Sequence, residues 1–155
     1  MASWSIQGRW MLFAVVLLSA AAFWTFPAFT TVDGATHAYT ARMILDRWAG
    51  HPHPYTDLNS YWVPNALGHY ALVALQVVLT PELAERVLIF LLILGPGIGL
   101  IRWCRAMGRP DPWPVLFVLP FCYGFLLLMG FFNFLLGMTL ALFLLAFDVR
   151  RAPLN

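Results

Sequence analysis

From Trp113 to Phe147 the chain runs for about 35 residues without a charged side chain, equivalent to about 52 Å of helix. A hydrocarbon core is only roughly 30 Å thick, so one crossing does not use that length. The run therefore predicts a hairpin of two spans, 113–129 and 131–147, turning near Gly130 to Asn133. Other apolar runs precede it. Residues 10–26, behind a short leader holding Arg9, sit near the lower length limit for a span. The small residues Ser19-Ala20-Ala21-Ala22 also allow a signal peptide cleaved there. Residues 83–103 are long enough to cross, and their Gly95-Pro96-Gly97 and Gly99 predict a kink. Residues 66–79 reach only about 21 Å as a helix, the length of an interfacial or re-entrant segment.

With 61% hydrophobic and 10% charged residues, the chain lies outside the range of soluble domains. The expected fold is an all-α integral membrane protein: about four transmembrane helices, with interfacial helices near 33–48 and 66–79 in an outer loop spanning 27–82. The formal charge of +2 is too small to imply a nucleic-acid partner and matters only through its placement. Cys104 and Cys122 fall in or beside apolar runs, which points to neither a disulfide nor a metal centre.

Placement of arginine chooses a topology, because arginine in short loops is retained in the cytoplasm. With 66–79 in the outer interface, four spans keep Arg9, Arg102, Arg105, Arg109, Arg150 and Arg151 inside and leave Arg42, Arg47 and Arg86 outside. If 66–79 crosses, five spans keep only Arg9 and Arg86 inside. The first arrangement is expected, with both termini cytoplasmic and Asp33, Asp46 and Asp57 on the outer face of a plasma membrane.

The polar stretch from Phe26 to His69 holds all four histidines and most of the candidate chemistry. Asp33 and His37 are four apart, so a helix beginning at Asp33 puts both on one face, with Arg42 and Asp46 as an i,i+4 pair on a wetter side. Asp33 also reads as a helix cap, an acid before glycine that satisfies free N–H groups. His51-Pro52-His53-Pro54 is not helical; its imidazoles lack the accompanying ligands of a metal site and read as an exposed linker. Asn65, His69 and Gln76 fall within roughly 40° on a helical wheel. That stripe suits either a pocket lining or hydrogen bonds between helices. Asn133, at the outer turn, serves turn chemistry or reaches the same cavity, with turn chemistry the simpler reading. Gly130 and Gly137 are candidates for close helix contact, although seven residues apart.

The order of these parts resembles the N-terminal module of the GT-C class of integral membrane glycosyltransferases. Asp33-Gly34-Ala35-Thr36-His37-Ala38-Tyr39, followed by Ala41-Arg42, looks like that class's acidic juxtamembrane helix. Trp62-Val63-Pro64-Asn65-Ala66-Leu67-Gly68-His69, leading to Ala84-Glu85-Arg86, looks like its second interfacial segment and the entry to the next span. The chain is also similar to bacterial multi-pass proteins with Asp-Gly-x-x-His, Pro-Asn-x-x-Gly-His and Gly-Phe-x-Asn-Phe runs. The resemblance implies transfer of a sugar from a polyprenyl-phosphate carrier at the outer face. Asp33 would be the general base and His37 its orienting group or a contact to carrier phosphate. His69, Asn65 and Asn133 would line the sugar pocket, and Arg42 or Arg86 would offset phosphate charge. Many members pair acids in the first loop and place another in the next outer loop; here glycine follows Asp33 and Asn133 holds the second turn, so a divalent metal is not supported. The class usually has eight or more spans, so four imply a fragment, a truncated gene product or one part of an assembly with further membrane subunits. The alternative expectation is a non-catalytic membrane subunit whose polar stretch docks another protein.

Overall fold

The computed structural model describes residues 6–26, 29–55, 65–108 and 113–151. Asp57, the Trp62-Val63-Pro64 run and Arg109, named above, lie outside the described residues. All regular structure among those residues is helical. Three helices are long and apolar enough to cross a membrane, Ile6–Thr25, Pro81–Ala106 and Phe132–Val149, as a multi-pass membrane protein requires.

Helix α1, Ile6–Ala21, tightens into a 3-10 turn over Ala22–Thr25. After a loop come α2, Gly34–Trp48, and α3, Leu67–Gln76. The central helix is α4, Pro81–Ala106. Its start is well specified: Thr80 at the N-cap accepts from the Leu83 N–H at 3.4 Å, Pro81 stands where no N–H is needed, and Glu82 meets the positive end of the helix. Leu88, Ile89, Leu92 and Ile93 of α4 are buried at the centre of the bundle.

The glycines of α4 make it close-packed. The helix runs on through Pro96. A Cβ on Gly95 would lie 2.6 Å from Thr139 Cγ2, and one on Gly99 2.9 Å from Leu142 Cβ. This four-residue spacing of small residues lets two backbones approach, and between helices in lipid such packing replaces the hydrophobic effect as the source of attraction. The partner is α7, Phe132–Arg151; the sequential pairing of Gly95 with Thr139 and Gly99 with Leu142 makes the two helices parallel. Gly137, by contrast, has nothing near its face, so the close contact expected there belongs to Gly95 and Gly99.

Residues 113–129 do not form the single helix expected of them. They are divided into α5, Trp113–Val118, a 3-10 segment, Leu119–Tyr123, and α6, Phe125–Met129. Pro120 lacks an N–H for the ladder, and Gly124 is extended at φ −74° and ψ −176°. The Tyr123 hydroxyl donates to the Ser19 carbonyl and ties the broken segment to α1. The turn into α7 is at Gly130, in the left-handed region at φ +85°. Gly130 N–H reaches Leu127 O at 2.9 Å and Phe131 N–H reaches Leu126 O at 2.9 Å, a Schellman closure that glycine adopts without steric cost. Turn chemistry therefore rests on Gly130, and Asn133 lies inside α7.

Candidate functional site

The first turns of α2, α3 and α7 meet at one end of the bundle. His37 of α2 and His69 of α3 are joined ring to ring, Nδ1 to Nε2, at 3.0 Å. The Phe132 ring, at the start of α7, lies 5.4 Å from that of His37. The next residue, Asn133, accepts the Gly68 N–H through Oδ1 at 2.6 Å, so it caps α3 from a distant part of the chain and satisfies one of its orphan donors. The loop before α2 is pinned to the α6–α7 turn by Val32 N–H to Leu128 O at 2.9 Å. A Cβ on Gly130 would come within 3.2 Å of Asp33 Cβ. Three helix N-termini with their partial positive charge thus surround the histidine pair, an arrangement that favours an anion.

Asp33 occupies the N-cap position of α2, yet its side chain makes no capping bond. The capping role expected of it is not realised: its backbone is helical, at φ −96° and ψ −1°, whereas a capping side chain folds back from extended geometry. Its side chain is exposed. In the histidine pair one nitrogen must donate and the other accept. Burial, and secondarily the neighbouring His37, push the His69 imidazole below its ordinary value. Asn65, with φ of 72°, precedes α3 and is exposed, so the expected stripe reduces to His69 and Gln76. Gln76 is buried and donates to the Ala38 carbonyl at 2.8 Å, an interhelical bond; its Oε1 has no partner.

A second polar group meets α2 at Gly34. Glu85 of α4 is buried, at 7% exposure. Its Oε1 accepts from the Thr30 hydroxyl at 3.2 Å, the Thr31 N–H at 3.3 Å and the Thr31 hydroxyl at 3.4 Å. Gly34 makes this possible, since a Cβ there would overlap both Glu85 Oε1 and Thr31 Oγ1. Beside Glu85 lies a cavity of about 550 Å³, walled by Thr30, Tyr39, Arg42, Glu82 and Arg86. Arg42 is also bonded to Asp46 at 2.9 Å, the i,i+4 pair expected from spacing. Arg86 reaches the Phe26 carbonyl at 3.5 Å.

At about 100° per residue, Arg42 is about 140° round α2 from His37 and about 180° from Asp33. The candidate residues therefore divide. Asp33, His37, His69 and Asn133 gather at the helix N-termini, while Arg42 and Arg86 face the cavity behind α2. Among the described residues no three His, Cys, Asp or Glu side chains are grouped to hold a metal ion. His53 meets the Tyr39 hydroxyl at 3.5 Å, and His51 is exposed.

Glu85 is the residue that motif reading passed over. Its signal was periodic: positions 85, 88, 89 and 92 form one stripe of α4, buried throughout, so an acid on that stripe must find donors. Comparison of the chain with protein-family profiles, curated proteins and solved structures finds no match.

Proposed function

We propose that this chain is a GT-C-like glycosyltransferase module of a bacterial plasma membrane, moving a sugar from a polyprenyl-phosphate carrier to an acceptor at the outer face. The observation that carries the reading is Asp33, a carboxylate at a capping position that makes no capping bond, one helical turn before His37 of the bonded imidazole pair. Asp33 takes the acceptor hydroxyl's proton, a role that needs only hydrogen-bond reach and a correctly charged carboxylate. The helix N-termini around His37 and His69 offset negative charge on the carrier, and Asn65 and Asn133 border the sugar. In the membrane, Ile6–Thr25, Pro81–Ala106 and Phe132–Val149 cross as helices, and the broken 113–129 segment is the fourth crossing. The arginines at the end of α4, Arg102 and Arg105, then lie inside.

The test is Asp33→Asn in the full-length protein in membrane vesicles, assayed for label transfer from a polyprenyl-phosphate-linked hexose. Loss of about 10²- to 10⁴-fold is expected for a missing general base. Undiminished transfer by a well-inserted variant overturns the reading and favours the non-catalytic subunit. Sidedness is tested separately with a membrane-impermeant thiol reagent. It should modify a cysteine placed beside Asp33 and spare one placed beside Arg105.

A further inference from the structure

The cavity behind α2 has walls of both charge signs. Arg42 and Arg86 contribute two guanidiniums, and Glu82 and Glu85 two carboxylates. The two signs cancel, so the wall has no surplus positive charge to recruit an anion alone; Arg42 meets Asp46 through Nη2, one of the several donor positions of its guanidinium. Glu85 is the most constrained of these groups. Thr30 and Thr31 converge on Oε1 and fix the carboxylate at the cavity wall. A carboxylate held in advance by protein donors loses little order when a cation meets it. The rest of the lining is apolar, with Phe29, Ala35 and Pro81 beside the first turn of α4. At about 550 Å³ the cavity is in the range of small-molecule sites.

We infer that this cavity binds a zwitterionic headgroup of the phosphoethanolamine type, with the primary ammonium on Glu85 and the phosphate between Arg42 and Arg86. A primary ammonium matches a carboxylate as a hydrogen-bonding cation, and arginine matches phosphate through paired N–H donors. The two charges of one ligand then complete a wall whose own charges are opposed. The inference goes beyond the transferase reading. Its phosphate-binding wall, at Arg42, stands about 180° round α2 from Asp33, and loss of the lipid site leaves that reading intact.

The test uses the purified full chain in detergent micelles, with bound lipid measured by native mass spectrometry. Short-chain phosphatidylethanolamine should be retained about tenfold more tightly than short-chain phosphatidylglycerol, a difference of about 1.4 kcal/mol. Glu85→Gln keeps an acceptor oxygen for the threonines and removes the negative charge, so it should erase the preference. Arg86→Gln should weaken retention of both lipids. Ala35→Leu, which fills the cavity from an exposed position without altering charge, should abolish both. Competition by water-soluble phosphoethanolamine assigns the site to the headgroup alone, and lack of competition assigns it to the intact lipid; both outcomes uphold the zwitterion. Equal or tighter retention of phosphatidylglycerol overturns the inference. So does retention by folded Ala35→Leu at the level of the unaltered chain.

Discussion

The two sides of α2 hold their polar groups by different means. At the rear, where Gly34 meets α4, one carboxylate oxygen of Glu85 takes two hydroxyls and a backbone N–H, all from the loop that leads into α2. In front, His37 and His69 share a single ring-to-ring bond, and the exposed Asp33 stands beside them without a capping bond. A buried acid needs several donors to replace its hydration, and those donors fix the backbone that carries them. An imidazole pair needs only one proton between two nitrogens and can rearrange when that proton count changes. The rear contact therefore positions the helix, and the front one is free to respond to pH.

The largest effect should come from closing the space that the rear contact uses. Gly34→Ala puts a Cβ onto Glu85 Oε1 and Thr31 Oγ1, and Glu85 cannot swing away without leaving its donors. Overpacking together with the broken cradle should cost about 3 kcal/mol, read as a lower thermal midpoint in detergent micelles. In a Glu85→Ala background the same substitution should cost less, because the nearer of the two clashing atoms is gone and the Thr31 hydroxyl is no longer held by Glu85. Additive costs in the double variant would show that Glu85 is not what fills the space beside Gly34.

A smaller effect separates the charge of Glu85 from its role as acceptor. Glu85→Ala leaves the buried Thr31 N–H without its oxygen, at about 1–3 kcal/mol. Glu85→Gln retains an acceptor in the same place and should recover most of that loss. Equal destabilisation by both variants would mean that the charge, and not the geometry of acceptance, holds the loop to α4.

How much of this was legible follows from the range over which each signal acts. The Arg42–Asp46 pair, a helix starting at about Asp33 and the turn near Gly130 each depend on residues a few positions apart, and spacing alone reveals them. Asn133 could not be read that way, because its partner is the Gly68 N–H, 65 positions away, and an asparagine near a turn has a local use that looks sufficient. Gly95 and Gly99, beside Pro96, suggest bending when only their own helix is considered, whereas their missing side chains make room for Thr139 and Leu142 of another. The division of Arg42 from Asp33 is legible from spacing, because the roughly 100° step of a helix puts the Arg42–Asp46 pair on the side opposite Asp33.

The smallest effect belongs to the front of α2 and gives the sharpest test of the difference between its two sides. His69 binds its proton less readily in the folded protein than the ordinary value of 6.5, chiefly through burial and then through His37. The unfolded chain therefore binds more protons than the folded one as the pH falls below that value, and stability rises with pH wherever this is so. The stabilising contribution is complete above 6.5, and it is lost as acidification passes through the lowered value of the folded state. Thermal unfolding followed from about pH 8 to about pH 5 should show a decline in the unaltered chain that His69→Gln flattens. Gly34→Ala should lower the whole curve and leave this part of its slope unchanged, since its damage lies behind the helix. If His69→Gln retains the full acid-side slope, the proton that matters is elsewhere, and the contrast between a fixed rear contact and a titrating front one fails.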